Sequence, residues 1–436
     1  MSHHINTPFL GRLGWVWHRI LASYWSLPVL AVVTALPIAV GTILWDRDGL
    51  TAAIIDAGLE PVATSDTAKD LVGVATGINA AFITLYFSLT LLVLTVASSN
   101  LGVRLVDRWL DKRLVRVSLS GLAFTLVYSL TVMAAIDGEA PLDVTPLGSI
   151  AAVIGFQALN VAMLAVALHD LGRTIFVDRS IHHLGREAAH GPAAITSAAD
   201  ETIAWANTYF APREGYIEGN DLHRLAKCIG DGDARVRVCA APGSHVLQGQ
   251  PILQFEGAMP SGNAAHRIIP IGNFRSDGQG AVFRIRLLVE IAARALSPAI
   301  NDFYTAIACA DRLTAAMEGQ FDCWVDDGMI AAFADDPRIQ LPGQDFRGLF
   351  QDPLAALRQA ACQYPSVSIR LINNYGKLIA RAQASGLSPQ LAEFLARCAR
   401  DLAEHAASRA TYDGDARDIR AALSAIDADD DNTRGG

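Results

Sequence analysis

The chain has 436 residues, 51% hydrophobic and only 18% charged, where ordinary soluble domains average about 25% charged. With a mean hydropathy of +0.28 it is too apolar to be soluble throughout. A formal charge of −9 excludes a general nucleic-acid binder. The six cysteines contain no C-x-x-C pair, which excludes a zinc framework and leaves reduced, mostly buried thiols.

Residues 9–25, FLGRLGWVWHRILASYW, place Phe9, Leu13, Trp17, Ile20 and Tyr24 at helical spacing, with Arg12 and Arg19 opposite. This predicts an interfacial helix over 1–26, with a helix packed on the protein's own soluble part as the alternative. Four uncharged runs follow, at 27–45, 71–97, 117–136 and 144–168. Each reaches the length of about 20 residues that a bilayer demands, so a four-helix transmembrane domain is expected over 27–170.

The loops orient these spans. Loops 46–70 and 137–143 are acidic, whereas 98–116 carries Arg104, Arg108, Lys112, Arg113 and Arg116 against two aspartates. The positive-inside rule places those five basic residues at the cytoplasmic headgroups, in contact with membrane lipids. Both termini, and everything after residue 170, then face the cytoplasm.

No ionisable side chain lies within a run, which argues against a proton-coupled carrier. The polar groups there are uncharged, among them Asn79, Tyr128, Gln157 and Asn160. In the second run Gly73, Gly77, Thr84, Ser88 and Thr95 share one helical face. Two readings stay open for it: close helix packing, or the lining of a pore in a homo-oligomer that passes ions.

Beyond the spans, connecting helices are expected over 171–212, the 180–210 pattern being helical. A small β-module over 213–272 follows from alternating Val236 and Val238, the Pro242-Gly243 turn, Val246, the Gly249 turn, then Ile252 and Phe255. Its stretch PGSHVLQGQPILQFEGAMP resembles half of a biotinyl/lipoyl-type barrel-sandwich hybrid. Pro260 stands where such a carrier has its attachment lysine, and Lys227 is upstream in a helical context, so the resemblance implies a fold and no cofactor.

A helical domain is expected over 273–415, with helices at 281–296, 303–317, 350–362, 366–383 and 388–411, then an acidic, disordered tail over 416–436. Phe283, Leu287, Ile291 and Leu296 give the first helix its apolar side, and Phe303, Ile307, Ala310 and Leu313 the second. Between these two helices lies the corner ALSPAINDFYTA, 295–306. Pro298 disfavours α geometry at Ser297 and so ends the first helix. Asn301 or Asp302 can cap the next, with Thr305 in its first turn. The alternative is that the corner displays Asn301 and Asp302 at a subunit interface or vestibule.

The expected architecture is thus mainly α: a four-helix transmembrane domain, then a cytoplasmic α+β domain with a small β barrel-sandwich-like module. Four spans together with SSNLGVRLVDRWLDKR, GYI, APGSHVLQGQPI and RALSPAINDFYTAIACADRL resemble the bacterial predicted-membrane-protein family called domain of unknown function 2254, over roughly 15–415. Within the corner, Ala295, Leu296, Ser297, Pro298, Ile300, Asn301, Asp302, Thr305 and Ala306 match the family pattern, and Phe303 departs from it. The resemblance implies a bacterial inner membrane location and this architecture, but no chemistry. No Walker A, G-x-S-x-G or H-E-x-x-H motif is present, so no enzyme is expected. A homo-oligomeric channel or passive transport protein is the leading expectation, and a membrane-anchored sensor or scaffold the alternative.

Overall fold

The computed structural model describes residues 25–101, 113–174, 177–190, 194–230, 232–258, 265, 267–275 and 279–434. The chain divides into two compact units, Met1–Phe176 and Val177–Gly436. Nearly all of the expected interfacial helix, the loop residues Arg104, Arg108 and Lys112, and Met259 and Pro260 lie outside the described residues.

In the first unit the helices are α1 (Ser26–Trp45), α2 (Thr51–Asp56), α3 (Ser65–Leu101), α4 (Arg113–Ala134) and α5 (Leu147–Thr174). Four segments, Ser26–Asp56, Ser65–Val96, Arg113–Ala134 and Leu147–Asp170, are long and apolar enough to cross a membrane. They coincide with the four uncharged runs. A π-helical turn, Asp46–Leu50, joins α1 to α2, and at its kink Gly49 has φ 125°, which a residue with a Cβ avoids.

Helix α4 packs against α1, α3 and α5. Helix α1 meets it through Ala35 and Ala39, both fully buried, and such small residues four apart let backbones come close. Around them pack Val72, Tyr128, Val132 and Ile150, and a second cluster holds Tyr86, Leu119, Leu122 and Leu164. The Tyr128 ring meets Phe124 and Phe156, and its hydroxyl lies 2.8 Å from that of Thr42. Bulky apolar side chains such as Val33, Leu36, Leu85 and Leu91 point outward.

The second unit opens with α6 (Val177–Ala188). The expected helical pattern over 180–210 then fails, because β1 (Ile195–Ala199) and β2 (Asn207–Phe210) occupy its second half. Next come β3 (Gly215–Ile217), α7 (Leu222–Ile229), β4 (Val236–Val238), β5 (His245–Val246), β6 (Pro251–Phe255) and β7 (Ile271–Gly272). After α8 (Ala281–Ala295) and α9 (Phe303–Glu318) a hairpin forms from β8 (Met329–Phe333) and β9 (Asp336–Gln340).

Two sheets result, one of order β1-β8-β9-β4-β6-β2 and one of order β5-β3-β7. The two glycine turns form as the sequence predicts, with Gly243 at φ 82° and Gly249 at φ 83°. Val236, Val238, Val246, Ile252 and Phe255 are all buried in one core. The barrel-sandwich likeness does not extend to closure: among the described residues no closed barrel forms. Instead β4 pairs in parallel with β9, a strand about a hundred residues downstream, and β1 and β2 also join the larger sheet. Strand pairings at that separation leave no local signature.

The remaining helices are α10 (Phe346–Ala361), α11 (Pro365–Ala384), α12 (Pro389–Arg409) and α13 (Asp413–Arg434). Helices α8 to α12 fall where the apolar periodicity places them. Phe283, Leu287, Ile291 and Leu296 are buried, as are Ala310 and Leu313, but Phe303 is exposed. Helix α13 overturns the expected disorder of the 416–436 tail as far as residue 434. Ala416, Ile419 and Ile426 recur at helical spacing and are buried, and the helix packs on α11 and α12. Gly376 of α11 makes room for it, since a Cβ there would stand 3.0 Å from Ile426 Cγ1.

Candidate functional site: the outward face of the second span and the signature corner

Helix α3 has two distinct polar faces. One is buried and carries Ser65, Ala68, Val72, Thr76, Asn79, Tyr86, Thr90 and Val93. These positions recur three, four or seven apart, the spacing of a left-handed helix seam. At its middle, Asn79 Nδ2 donates to the Leu122 carbonyl at 2.7 Å, and Asn160 Nδ2 donates to Asn79 Oδ1 at 3.1 Å. One amide pair thereby ties α3, α4 and α5 together. Gln157, on α5, buries its amide without a hydrogen-bond partner among the described residues.

The other face carries Gly77, Thr84, Ser88 and Thr95, and it is exposed. Among the described residues their hydroxyls donate only to carbonyls one turn back in the same helix: Thr84 to Ala80 at 3.1 Å, Ser88 to Thr84 at 2.9 Å and Thr95 to Leu91 at 2.8 Å. A Cβ added to Gly77 would meet nothing within 4 Å, while one on Gly73 would touch Met133 at 3.5 Å. Among the described residues, then, this face is not the helix-packing surface. Packing falls on the seam through Asn79 and Tyr86, and only Gly73 borders it. Of the basic loop, Arg113 is exposed and Arg116 is partly buried, donating to Ser26 Oγ at 3.3 Å.

A buried carboxylate sits where α1 ends. Asp46 is 3% exposed. Its Oδ1 accepts from the Gly148 N–H at 2.8 Å, and its Oδ2 accepts from the Ser149 N–H at 2.8 Å and the Ser149 hydroxyl at 2.6 Å. These are the opening amides of α5, where a negative charge is favoured by the helix dipole. A Cβ on Gly148 would lie 2.5 Å from Asp46 Oδ1, so only glycine admits this approach. Thr51 completes the lock, donating to the Thr145 carbonyl at 2.9 Å, and the Ser65 and Thr145 hydroxyls meet at 2.7 Å.

The signature corner is a compact turn. Asn301 has φ 51°, the left-handed region that a short polar side chain tolerates. The Ser297 carbonyl accepts from the Ile300 and Asn301 N–H groups at 3.0 and 2.9 Å, and the Asp302 N–H donates to the Ala295 carbonyl at 2.8 Å. Asp302 caps α9: its Oδ1 accepts from the Thr305 N–H at 3.0 Å and its Oδ2 from the Thr305 hydroxyl at 2.6 Å. Tyr364, just before α11, donates its hydroxyl to the Leu296 carbonyl at 2.6 Å and so closes the end of α8. Pro298, Ile300, Asn301, Phe303 and Tyr304 are exposed, and the two aromatic rings lie 4.3 Å apart.

Among the described residues, no cluster of three or more His, Cys, Asp or Glu could hold a metal. Burial pushes the Cys323 thiol up to about 11, with Asp322 and Asp345 adding to it, and the Cys398 thiol up to about 12, so both stay protonated at neutral pH.

The family model described as "Predicted membrane protein (DUF2254)" matches residues 22–376, a stretch holding the four spans, both sheets and the corner. The chain belongs to this family. Uncharacterized proteins of Mycobacterium tuberculosis and Mycobacterium bovis are each 28% identical over 336 residues. The alignment covers 71% of this chain and 62% of each relative, so the chain spans less than two thirds of their length. No solved structure matches the chain significantly. As a family member the chain is a membrane protein, its four apolar helices supplying the spans.

Sequence reasoning placed Asn79 and Asn160 at membrane depth without pairing them, and it counted Asp46 as one acidic loop residue among several. The three-four spacing along α3 was the available signal for the seam. Nothing local marked Asp46 as the clasp on α5, whose amides lie 102 and 103 residues away.

Proposed function

We propose that this protein assembles in the bacterial inner membrane as a homo-oligomer and conducts ions passively along the hydroxyl-bearing face of α3. One observation carries the reading: Gly77, Thr84, Ser88 and Thr95 line a face that, among the described residues, no other helix covers. Lipid tails gain nothing from hydroxyls or from a missing side chain, whereas a second copy can approach closely there and a water-filled axis can be lined. The absence of ionisable groups within the uncharged runs fits passive conduction rather than proton coupling. The basic residues of 98–116, Arg113 and Arg116 among them, support cytoplasmic termini and contact with anionic lipid headgroups.

Liposome flux tests this reading. Purified protein should pass ions, and Thr84→Leu or Ser88→Leu should reduce conductance several-fold. Their unfolding midpoints should not move, because both side chains are exposed within the chain. A silent membrane under varied tension, voltage and pH would favour the second reading, a membrane-anchored sensor or scaffold. That reading has its own support in the exposed Ile300, Phe303 and Tyr304 of the corner, which offer a partner an apolar tip.

A further inference from the structure

Within the second unit a cavity of about 250 Å³ opens beside the Ala241–Ser244 turn, lined by Asn220, Ser244, Arg286, Gln344 and Asp352 among others. The turn rests directly on α8. A Cβ on Gly243 would stand 3.1 Å from Arg286 Nη1 and from Val282 Cγ1, and 3.3 Å from Gln279 Oε1.

Arg286 is half-buried and, among the described residues, gives one hydrogen bond, from Nη1 to the Gly243 carbonyl at 3.0 Å. Among the described residues no carboxylate oxygen lies within 4 Å of it. Buried arginines are ordinarily paired. Burial, and then neighbouring Arg275, lower its pKa, and the exposed Asp352 opposes them. Two further groups at this place lack partners. Gln279 is 2% exposed, and among the described residues neither atom of its amide has a hydrogen-bond partner. Ser244 lines the cavity, and its hydroxyl meets no protein partner among the described residues. Helix α8 starts here behind Gly280 with no side-chain cap and no acidic residue in its first turn. An anion would therefore find a guanidinium fork, a free hydroxyl and the positive end of a helix dipole.

We propose that this cavity binds a small water-soluble oxyanion, the phosphate or carboxylate group of a metabolite, through Arg286, Ser244 and the uncapped first turn of α8. The volume lies just below the usual range of ligand pockets, about 300 Å³ upward, and so fits a small oxyanion. The proposal does not rest on the conducting reading, since binding is measured without flux.

Calorimetric titration of the full chain in zwitterionic micelles with inorganic phosphate, and separately with acetate, is the test. Saturable binding of one anion per chain is expected. Arg286→Gln should weaken it about tenfold or more, as loss of a charge-assisted hydrogen bond does. Ser244→Ala, which removes a hydroxyl with no protein partner to lose, should weaken it about threefold with an unchanged melting curve, and Arg275→Gln should leave it within about twofold, each set against the tenfold step of about 1.4 kcal/mol. No saturable heat with either anion overturns the site, and so does binding that Arg286→Gln and Ser244→Ala both leave intact. If phosphate binds in micelles but is excluded in phosphatidylglycerol nanodiscs, the occupant is a lipid headgroup and the soluble ligand is overturned.

Discussion

Asp46 in the membrane unit and Asp302 in the second unit do the same physical work under different conditions. Each carboxylate takes up amides at the opening of a helix. Asp302 caps its own helix from the adjoining turn, partly exposed, with Thr305 as its partner. Asp46 reaches across from another helix, almost wholly buried, and serves Gly148 and Ser149. The units differ in the same sense elsewhere. The second buries Phe346, Phe350 and its strand valines, whereas the first adds alanines, hydroxyls and amides to its buried leucines and valines and turns many others outward. With lipid as solvent, burying apolar surface gains nothing, so close contact and hydrogen bonds must hold the helices. A polar lock matters more there because water cannot replace a lost partner.

Three substitutions can break or sharpen that contrast. The largest effect is expected for Asp46→Ala, which strands two amides and a hydroxyl in a buried site. A loss of about 3 kcal/mol or more is expected, read as collapse of the detergent-solubilised protein's unfolding midpoint. If Asp46→Ala costs no more than Asp302→Ala, the contrast is wrong. Asp302→Ala should remove about 1 kcal/mol, the usual worth of an N-cap, and Asp302→Asn should restore part of it because an amide oxygen still accepts. Smallest is Asn79→Leu, where interhelical hydrogen bonds in membranes average about 0.6 kcal/mol. A double cycle with Asn160→Leu checks it, and a coupling near zero would mean that the two amides do not hold α3 to α5.

Much of the second unit was legible because its signals are short-ranged. Apolar residues three and four apart gave α8 to α12, and the left-handed turns at Gly243 and Gly249 were marked by glycine itself. Phe303 was misread as part of a buried stripe because it stands in the first turn of α9, where the corner carries it outward. Ile419 and Ile426 were overlooked because the acidic residues around them dominate the composition. The spans were legible from length and apolarity, yet apolarity could not tell inside from outside in a helix whose every face is apolar. The hydroxyl stripe was therefore open to either reading, and the burial of Asn79 and Tyr86 on the far seam assigned it to the exposed side.

What the sequence determined by itself is whatever acts within a few residues: span lengths, helix periodicity, tight turns, and the Asp302 cap, whose partner is three positions on. Tertiary structure alone decided the parallel pairing of β4 with β9, the clasp of Asp46 on α5, the Tyr364 bond that closes the corner, and the isolation of Arg286 in its cavity. Each joins groups from distant parts of the chain, and only the closure of the intervening loops, an entropic cost met by the whole fold, brings them together.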